Sequence, residues 1–352
     1  MASVVLPCMD GGDPLGESAL EAAFRMTLPG YQPLLSADRP LQAAMSPEGR
    51  KAEAVVIAGC ELFPAGPNQL GISILPALAA RVSSMGRDQI FALVGVSAAA
   101  PTRLPDKWAA RRLIRSAHLV LLSDGESASA LAGAGVPAPL RVSSDPAWLA
   151  LSSVTARGGS GRSVVVALDG NGAPSVDGEL MAGLSRLART GMEIRLLPWA
   201  DRATADIRSA EDLARHLSAI KSGCVEVVPP ADDLAGAAQH MSDAYAVVSL
   251  RYRGLHAAAA AGVPVVAVGV ESRTKALAAR LGQTYVRPDR VGRELEGAVR
   301  RAVASPAPSP AVVKEEIARA EAGLALLRLV LRRGDVDTSN LEFLPLAPVP
   351  WL

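Results

Sequence analysis

Short runs of apolar, mostly β-branched residues recur along the chain and are separated by segments of helical length. Strands that are apolar on both faces are typical of parallel sheets with helices on either side. The pattern therefore predicts an α/β fold built from two doubly wound, Rossmann-like domains. The runs lie at residues 4–6, 54–57, 90–96, 119–122, 164–168, 194–197, 225–228, 246–249 and 263–268.

A break in this pattern predicts two domains, with a ligand cleft expected between them. Residues 152–163, SSVTARGGSGRS, are rich in Gly and Ser and lack apolar periodicity, so we assign them to a linker. The N-terminal α/β domain then covers residues 1–151 and the C-terminal α/β domain residues 164–309. Helical spacing of apolar residues predicts a long amphipathic helix over 310–333, and the Pro-rich stretch 334–352 predicts an irregular tail.

Composition narrows the class of protein. The 352 residues are 49% hydrophobic and 20% charged, with a net charge of +1, which is typical of a well-buried globular chain. Aromatic residues make up 3%, too few for the stacking surfaces that bind single-stranded nucleic acid, so we expect no nucleic-acid partner. No stretch approaches the roughly 20 apolar residues that cross a bilayer, so we expect no membrane span.

The cysteines and the start of the chain predict a cytoplasmic location. Cys8, Cys60 and Cys224 are odd in number and far apart, which argues against a disulfide framework and against paired metal ligands. The opening MASVVLPCMDGG lacks the basic region of a signal peptide. We therefore expect a reduced environment and no metal site.

The most promising functional segment is SLRYRGLHAAAAAGVP, residues 249–264. A strand ends at Ser249, a short turn follows, and an Ala-rich helix begins. Helix N-termini attract anions, and Arg251 and Arg253 add guanidinium groups that match phosphate or carboxylate oxygens. His256 lies about one helical turn beyond Arg253, where it could act as a general acid or base. The segment predicts an anion-binding site; the alternative is that these residues are packing and ion-pairing groups.

A second candidate is MDGGDPLGESALEAAF, residues 9–24, in which a glycine-rich turn joins a strand to a helix. Its spacing fits neither a dinucleotide-binding fingerprint nor a P-loop. The glycines allow the backbone to approach a ligand, and the carboxylates could accept hydrogen bonds from sugar hydroxyls. The alternative is a plain turn with an acidic helix start. The candidate residues are Asp10, Gly11, Gly12, Asp13, Gly16 and Glu17.

Over roughly residues 1–285 the chain resembles the polysaccharide pyruvyl transferase family. The matching segments are LGESALEAAF, VVIAGCELF, SDGESASAL, SDPAWL and, most closely, residues 249–264. Arg253 stands where the family has a histidine, and Arg273 stands at its donor-side lysine, with Lys275 two residues on. The family's usual Asp is Glu17, its glycine triplet is reduced to Gly59, and its usual Arg is Ser123.

The resemblance implies a GT-B-like pair of α/β domains and transfer of an enolpyruvyl unit from phosphoenolpyruvate to a glycan or small hydroxylated acceptor, which forms a ketal. Phosphoenolpyruvate would be the donor co-substrate, with no further cofactor. Arg251, Arg253 and Arg273, together with Lys275 and Ser249, would bind this anionic donor on the C-terminal domain. The acceptor would lie against the N-terminal loop of residues 10–16, with Glu17 among the catalytic residues.

The arginine at position 253 leaves the proton donor of the family reaction unassigned. A guanidinium cannot protonate the donor methylene carbon near pH 7, because its pKa lies above about 12. Either His256 supplies the proton or the chain does not perform the family reaction.

Two other functions fit the same segments. One is a glycosyltransferase-like enzyme that binds the diphosphate of a nucleotide sugar at the same helix N-terminus, with Glu271 as the candidate for a ribose contact. The other is a non-catalytic relative that acts as a binding or scaffold subunit. The predicted helix over 310–333 could also join two copies in a homo-oligomer.

Overall fold

The chain folds into two compact α/β units. The computed structural model describes residues 2–7, 13–28, 31–36, 52–63, 75–86, 88–136, 140–159, 161–168, 174–199 and 205–333. The first unit contains residues 2–7, Glu17–Leu149 and residues 315–333. The second contains Ala150–Lys314 and also residues 13–16, which lie far away in sequence. The predicted tail, residues 334–352, lies outside the described residues.

The sheet of the first unit has the order β2-β1-β3-β5-β6-β7 across its described strands, and β4 pairs with β5. All of these pairings are parallel. The strands are β1 (Ala2–Pro7), β2 (Tyr31–Ser36), β3 (Ala54–Ala58), β4 (Glu61–Phe63), β5 (Ile90–Ala98), β6 (Leu119–Leu122) and β7 (Arg141–Val142). The helices are α1 (Pro14–Thr27), α2 (Leu75–Ser83), α3 (Leu104–Ser116) and α4 (Gly125–Gly133), and a 3-10 turn spans Pro146–Leu151.

The sheet of the second unit has the order β10-β9-β8-β11-β12-β13 and is parallel throughout its described strands. The order reverses between β8 and β11, as in dinucleotide-binding sheets. The strands are β8 (Ser163–Ala167), β9 (Glu193–Leu197), β10 (Val225–Val227), β11 (Ala246–Ser249), β12 (Val265–Val268) and β13 (Thr284–Val286). The helices are α5 (Pro174–Arg189), α6 (Ala205–Ile220), α7 (Leu234–Met241), α8 (Tyr252–Ala261), α9 (Ser272–Arg280) and α10 (Val291–Ala304), and a 3-10 turn spans Pro288–Arg290.

Six interior strands of the two sheets are buried along their whole length. Every residue of β3, β5, β6, β8, β11 and β12 is buried. Helices pack on the sheets through Leu, Val and Ala side chains, so each unit has its own apolar core. The predicted fold class, two doubly wound Rossmann-like domains, is confirmed.

A long helix, α11 (Pro310–Arg333), occupies the segment for which hydropathy predicts one. From residue 315 onward it belongs to the first unit, where two serines that follow β7 bind it. The Ser143 hydroxyl donates to the carbonyl oxygen of Arg319 at 2.9 Å, and the Ser144 hydroxyl donates to Glu316 Oε2 at 2.5 Å. Glu316 is buried, so these contacts fix the helix by polar groups as well as by packing.

The glycines predicted to form the interdomain linker have a packing role in the structure. A Cβ at Gly159 or Gly161 would overlap the carbonyl oxygens of Ala244 and Asp243. The backbone N–H of Arg157 donates to the carbonyl of Ala261 at 3.2 Å. These residues therefore lie against the second unit, and the glycines allow the close approach of two backbones.

None of the helices within the described residues has the length and apolar character needed to cross a membrane.

Candidate functional site

The predicted anion-binding segment forms a tight strand-to-helix turn at the carboxyl end of β11. The Ser249 hydroxyl donates to the carbonyl of Arg251 at 2.8 Å and accepts from the N–H of Arg251 at 3.3 Å. A Cβ at Gly254 would overlap the Ser249 oxygen, so the first turn of α8 can approach the strand only because residue 254 is glycine. Ser249 is fully buried and stabilises this turn.

Helix α8 is buried at all ten of its residues, which explains its run of alanines. Small side chains let a helix lie close to the sheet and to its neighbouring helices. The helix ends at Gly262, whose positive φ of 73° is the left-handed C-cap conformation that favours glycine. The Gly-Val-Pro sequence then leads directly into β12.

Arg251 lies at the point where the strand order of the second sheet reverses. Its Nε donates to the carbonyl of Leu168, directly after β8, at 3.2 Å. Its Nη2 lies 3.4 Å from a carboxylate oxygen of Asp206, near the start of α6. Arg251 is also the N-cap residue of α8, and its side chain does not cap that helix. The guanidinium thus joins the carboxyl ends of the two strands that flank the reversal.

Arg253 is completely buried and forms an ion pair with Asp13. Its Nη1 donates to Asp13 Oδ2 at 2.6 Å. The other oxygen of Asp13 accepts from the indole Nε1 of Trp199 at 2.7 Å and from the backbone N–H of Gly16 at 3.0 Å. A Cβ at Gly16 would overlap both Arg253 and Asp13. The glycine of the predicted acceptor-side loop is therefore needed for this pair to form.

The charges of this cluster hold Asp13 ionised. Burial alone would raise the pKa of its carboxyl group, but the charge of Arg253, the hydrogen bonds from Trp199 and Arg253, and the charge of Arg251 together lower it. Carboxylates that accept several hydrogen bonds beside a cation behave in this way. Arg253 and Asp13 consequently neutralise each other inside the second unit.

His256 lies within the core of the second unit. It has no solvent exposure, and its ring packs edge-on against Tyr252 with 4.7 Å between ring centroids. Burial, followed by the positive charges of Arg253, Arg280 and Arg273, lowers the pKa of His256 well below its usual value. The imidazole is therefore neutral at pH 7, whereas the predicted general acid would have to carry a proton to donate. Its catalytic role stays a prediction that this geometry does not favour.

The donor-side residues after β12 are only partly brought together. Arg273 Nε donates to Glu271 Oε2 at 2.7 Å, and its guanidinium carbon lies 4.3 Å from the centre of the Tyr252 ring. Arg273 thereby links α9 to the first turn of α8. Glu271 is the N-cap residue of α9 and is partly exposed, while Lys275 is exposed on the same helix.

The structure places the N-terminal candidates differently from the prediction. Asp13 and Gly16 belong to the second unit, and the oxygens of Asp13 already accept three hydrogen bonds from protein groups, so the predicted contact with acceptor hydroxyls has no support here. Glu17 lies in the first turn of α1, is half-buried and counts with the first unit. Asp10, Gly11 and Gly12 lie outside the described residues.

Sequence reasoning missed Trp199 and Asp206, which complete the cluster. Asp206 accepts from the backbone N–H of Trp199 at 3.1 Å and also faces Arg251. Both residues follow β9, the strand next to β8, but no motif marks them. In the described part of the chain, no group of three or more His, Cys, Asp or Glu side chains could hold a metal ion.

The N-terminus of α8 and the cation of Arg251 meet at the strand reversal of the second sheet, and anion binding at this edge stays a prediction. Ligands of open α/β sheets bind at such a reversal. The fold and this edge define the class: the chain has two Rossmann-like domains of the GT-B kind.

Three solved structures with this fold cover almost the whole chain. The Methanocaldococcus jannaschii UDP-GlcNAc 2-epimerase in complex with UDP-GlcNAc and UDP aligns with a TM-score of 0.58 and 10% identity, over 94% of this chain and 99% of that one. Staphylococcus aureus MnaA with UDP aligns with a TM-score of 0.60 and 10% identity, over 94% of this chain and 97% of that one. Anabaena Alr3699/HepE with UDP and glucose aligns with a TM-score of 0.53 and 13% identity, over 95% of this chain and 99% of that one.

At these identities the likeness shows the fold alone. The sequence matches no protein-family model and no curated protein. The fold that the pyruvyl transferase resemblance implies is thus confirmed, while membership of that family stays a prediction.

Proposed function

We propose that the protein is a nucleotide-sugar enzyme, glycosyltransferase-like, that binds the diphosphate of its donor at the carboxyl edge of the second sheet. The observation that carries this proposal is the position of Arg251. Its guanidinium bridges β8 and the start of α8 at the strand reversal, where a helix N-terminus faces any bound ligand.

The pairing of the arginines argues against phosphoenolpyruvate as the donor. That molecule carries a phosphate and a carboxylate, and the predicted clamp requires three arginines whose charges face the ligand. Instead, Arg253 is buried against Asp13, and Arg273 is held by Glu271 and stacked on Tyr252. Arg251 is shared with Asp206. Phosphoenolpyruvate transfer therefore needs the protein to break buried ion pairs, whereas a diphosphate at the helix N-terminus does not.

Glu271 provides the second feature of a nucleotide site. It follows β12, the strand next to β11, and its side chain is 36% exposed. A carboxylate at the end of a neighbouring strand is placed to accept hydrogen bonds from ribose hydroxyls. Arg273 orients this carboxylate through its Nε.

The ligands of the similar structures support the same assignment. The three structures hold UDP, with UDP-GlcNAc or glucose in two of them. Their fold positions such a ligand with a very different sequence, so the support comes from architecture and not from matched residues. A second candidate, a non-catalytic binding subunit, would keep nucleotide binding and lack turnover of any UDP-sugar.

Calorimetric titration with UDP of matched variants tests the location of the site. Glu271→Gln should weaken UDP binding about tenfold, because it removes a charged hydrogen-bond acceptor from the ribose. Glu294→Gln is the matched control, since Glu294 on α10 is a partly exposed carboxylate that also pairs with an arginine, Arg290. Equal affinities of the two variants would contradict the role of Glu271, and absence of UDP binding in the unaltered protein would contradict the proposal.

A further inference from the structure

Helix α3 of the first unit presents large apolar side chains to solvent. Leu104 is 80% exposed and Trp108 is 58% exposed, and they lie four residues apart on one face. Arg111 and Arg115 continue the same face at helical spacing and are exposed as well. We name these four residues the α3 stripe.

The side of α3 that packs into the first unit is the one opposite the α3 stripe. The opposite face of α3 is buried through Ala109, Ala110, Leu113 and Ile114. Leu104 and Trp108 therefore leave most of their apolar surface exposed to solvent. An exposed indole beside an exposed leucine marks an interaction surface when its surroundings are also distinctive.

Positive charge surrounds the stripe. Helix α3 carries Lys107 and Arg112 in addition to the two stripe arginines, and its carboxylate, Asp106, is buried. Helix α2, which packs beside α3, contributes Arg81 and has no Asp or Glu. Hydrogen bonds hold two of the guanidinium groups at the flanks: Arg112 donates to the Ser83 hydroxyl at 2.9 Å, and Arg111 donates to the carbonyl of Ala134 at 3.0 Å.

We propose that the α3 stripe binds the surface of an anionic phospholipid membrane. An amphipathic helix with a Trp-Leu pair and a basic flank lies in the interface, where the indole enters the headgroup region and the arginines meet lipid phosphates. Two apolar side chains are too few for a stable protein interface, which buries at least about 1,000 Å². The net charge of the whole chain is only +1, so the attraction is local to this face.

Vesicle sedimentation tests the proposal. The full chain should bind vesicles of phosphatidylglycerol and phosphatidylcholine, bind pure phosphatidylcholine at least tenfold more weakly, and release at high salt. Trp108→Ser with Leu104→Ser should abolish binding, and Arg115→Glu should lower the partition coefficient several-fold. Met26→Ser is the matched control, because Met26 is a 64% exposed apolar residue on α1 of the same unit. Its binding should equal that of the unaltered protein.

Fluorescence of Trp108 separates the membrane from other occupants of the stripe. Trp148 and Trp199 are fully buried, so the difference in emission between the unaltered protein and Trp108→Phe isolates Trp108 from the other indoles. This difference should be quenched by iodide in buffer and shift to the blue on anionic vesicles. Protection from iodide without lipid, or equal binding of the double variant, would overturn the proposal. UDP binding is measured separately, so either proposal can fail without the other.

Discussion

Asp13 and Arg253 show how one buried contact changes the meaning of a motif. Both residues lie at positions where the sequence predicts ligand contacts, yet they bind each other at 2.6 Å. A buried ion pair of this kind contributes modest net stability, but removing one partner leaves an uncompensated charge in the core. The residues that look most available for chemistry are therefore structural in this arrangement.

Asp13→Asn should lower the free energy of unfolding by about 3–5 kcal/mol, because it removes the Asp13 charge that pairs with the buried Arg253 guanidinium. The double variant Asp13→Asn with Arg253→Met should lose much less stability than the single variant Asp13→Asn. Urea unfolding of both single variants and of the double variant measures the coupling energy between the two residues. Since the folded pKa of Asp13 is lowered, its contribution is complete above the unfolded value of about 3.9 and is lost as pH falls through the folded value. If the double variant loses as much stability as the two single variants together, the ion pair between Asp13 and Arg253 is contradicted.

His256 predicts a pH dependence of stability. Its folded pKa lies well below the unfolded value of about 6.5, so between these two values the unfolded chain binds one more proton. The free energy of unfolding should therefore fall as pH drops below about 6.5, by up to about 1.4 kcal/mol per pH unit. His256→Gln should flatten this slope in urea titrations, and His216→Gln, at an exposed histidine, should keep it. Equal slopes in the two variants would show that His256 takes up a proton in the folded state.

At the scale of elements, the turn between β11 and α8 is the most constrained part of the site. Gly254→Ala should push α8 away from Ser249, because the added Cβ overlaps the hydroxyl oxygen. We expect the free energy of unfolding to fall by at least about 2 kcal/mol. We also expect UDP affinity to fall further than it does in other variants with the same loss of stability. Gly178→Ala on α5 is the control, since a Cβ there would contact no other atom. Alanine is the better helix former, so this variant should be more stable by up to about 1 kcal/mol. Unchanged UDP binding in Gly254→Ala would separate this turn from the donor site.

Helix α11 depends on one buried polar contact as well as on its apolar face. Ser144→Ala removes the hydroxyl that donates to the buried Glu316 carboxylate, so we expect a loss of about 1–3 kcal/mol in stability and faster amide hydrogen exchange along α11. Ser129→Ala removes a hydroxyl that donates to the carbonyl of Gly125 at an exposed position and should cost less than about 0.5 kcal/mol. Similar exchange in both variants would show that packing alone holds the helix.

The hydropathy pattern predicted the strands that carry a clear apolar run, including β10 at the end of its sheet, and missed β2, β4, β7 and β13. Central strands are apolar on both faces, so their runs stand out. Among the described strands, β2, β7 and β13 lie at the ends of their sheets, and β7 and β13 are only two and three residues long and partly exposed. Pro33 within β2 also argues against a strand by composition, yet proline is tolerated there because β2 pairs on one side only, with β1, among the described strands.

At the scale of the molecule, the candidate site could be located from sequence but its contacts could not. The strand, the turn and the helix N-terminus around Arg251 are local features, and local periodicity predicts them. The partner of Arg253 lies 240 residues away, and the indole that binds Asp13 lies 186 residues from it. Only the folded chain brings these groups together, and their pairing is the basis of our proposal that the donor is a nucleotide sugar.

The most direct test of this account is a calorimetric titration of the unaltered protein with UDP and, in a separate cell, with phosphoenolpyruvate. Saturable binding of UDP with no heat from phosphoenolpyruvate is the predicted result, because the diphosphate meets a helix N-terminus whose neighbouring arginines stay paired. Saturable binding of phosphoenolpyruvate without UDP binding would contradict the account and would restore pyruvyl transfer as the function of the Arg251 segment.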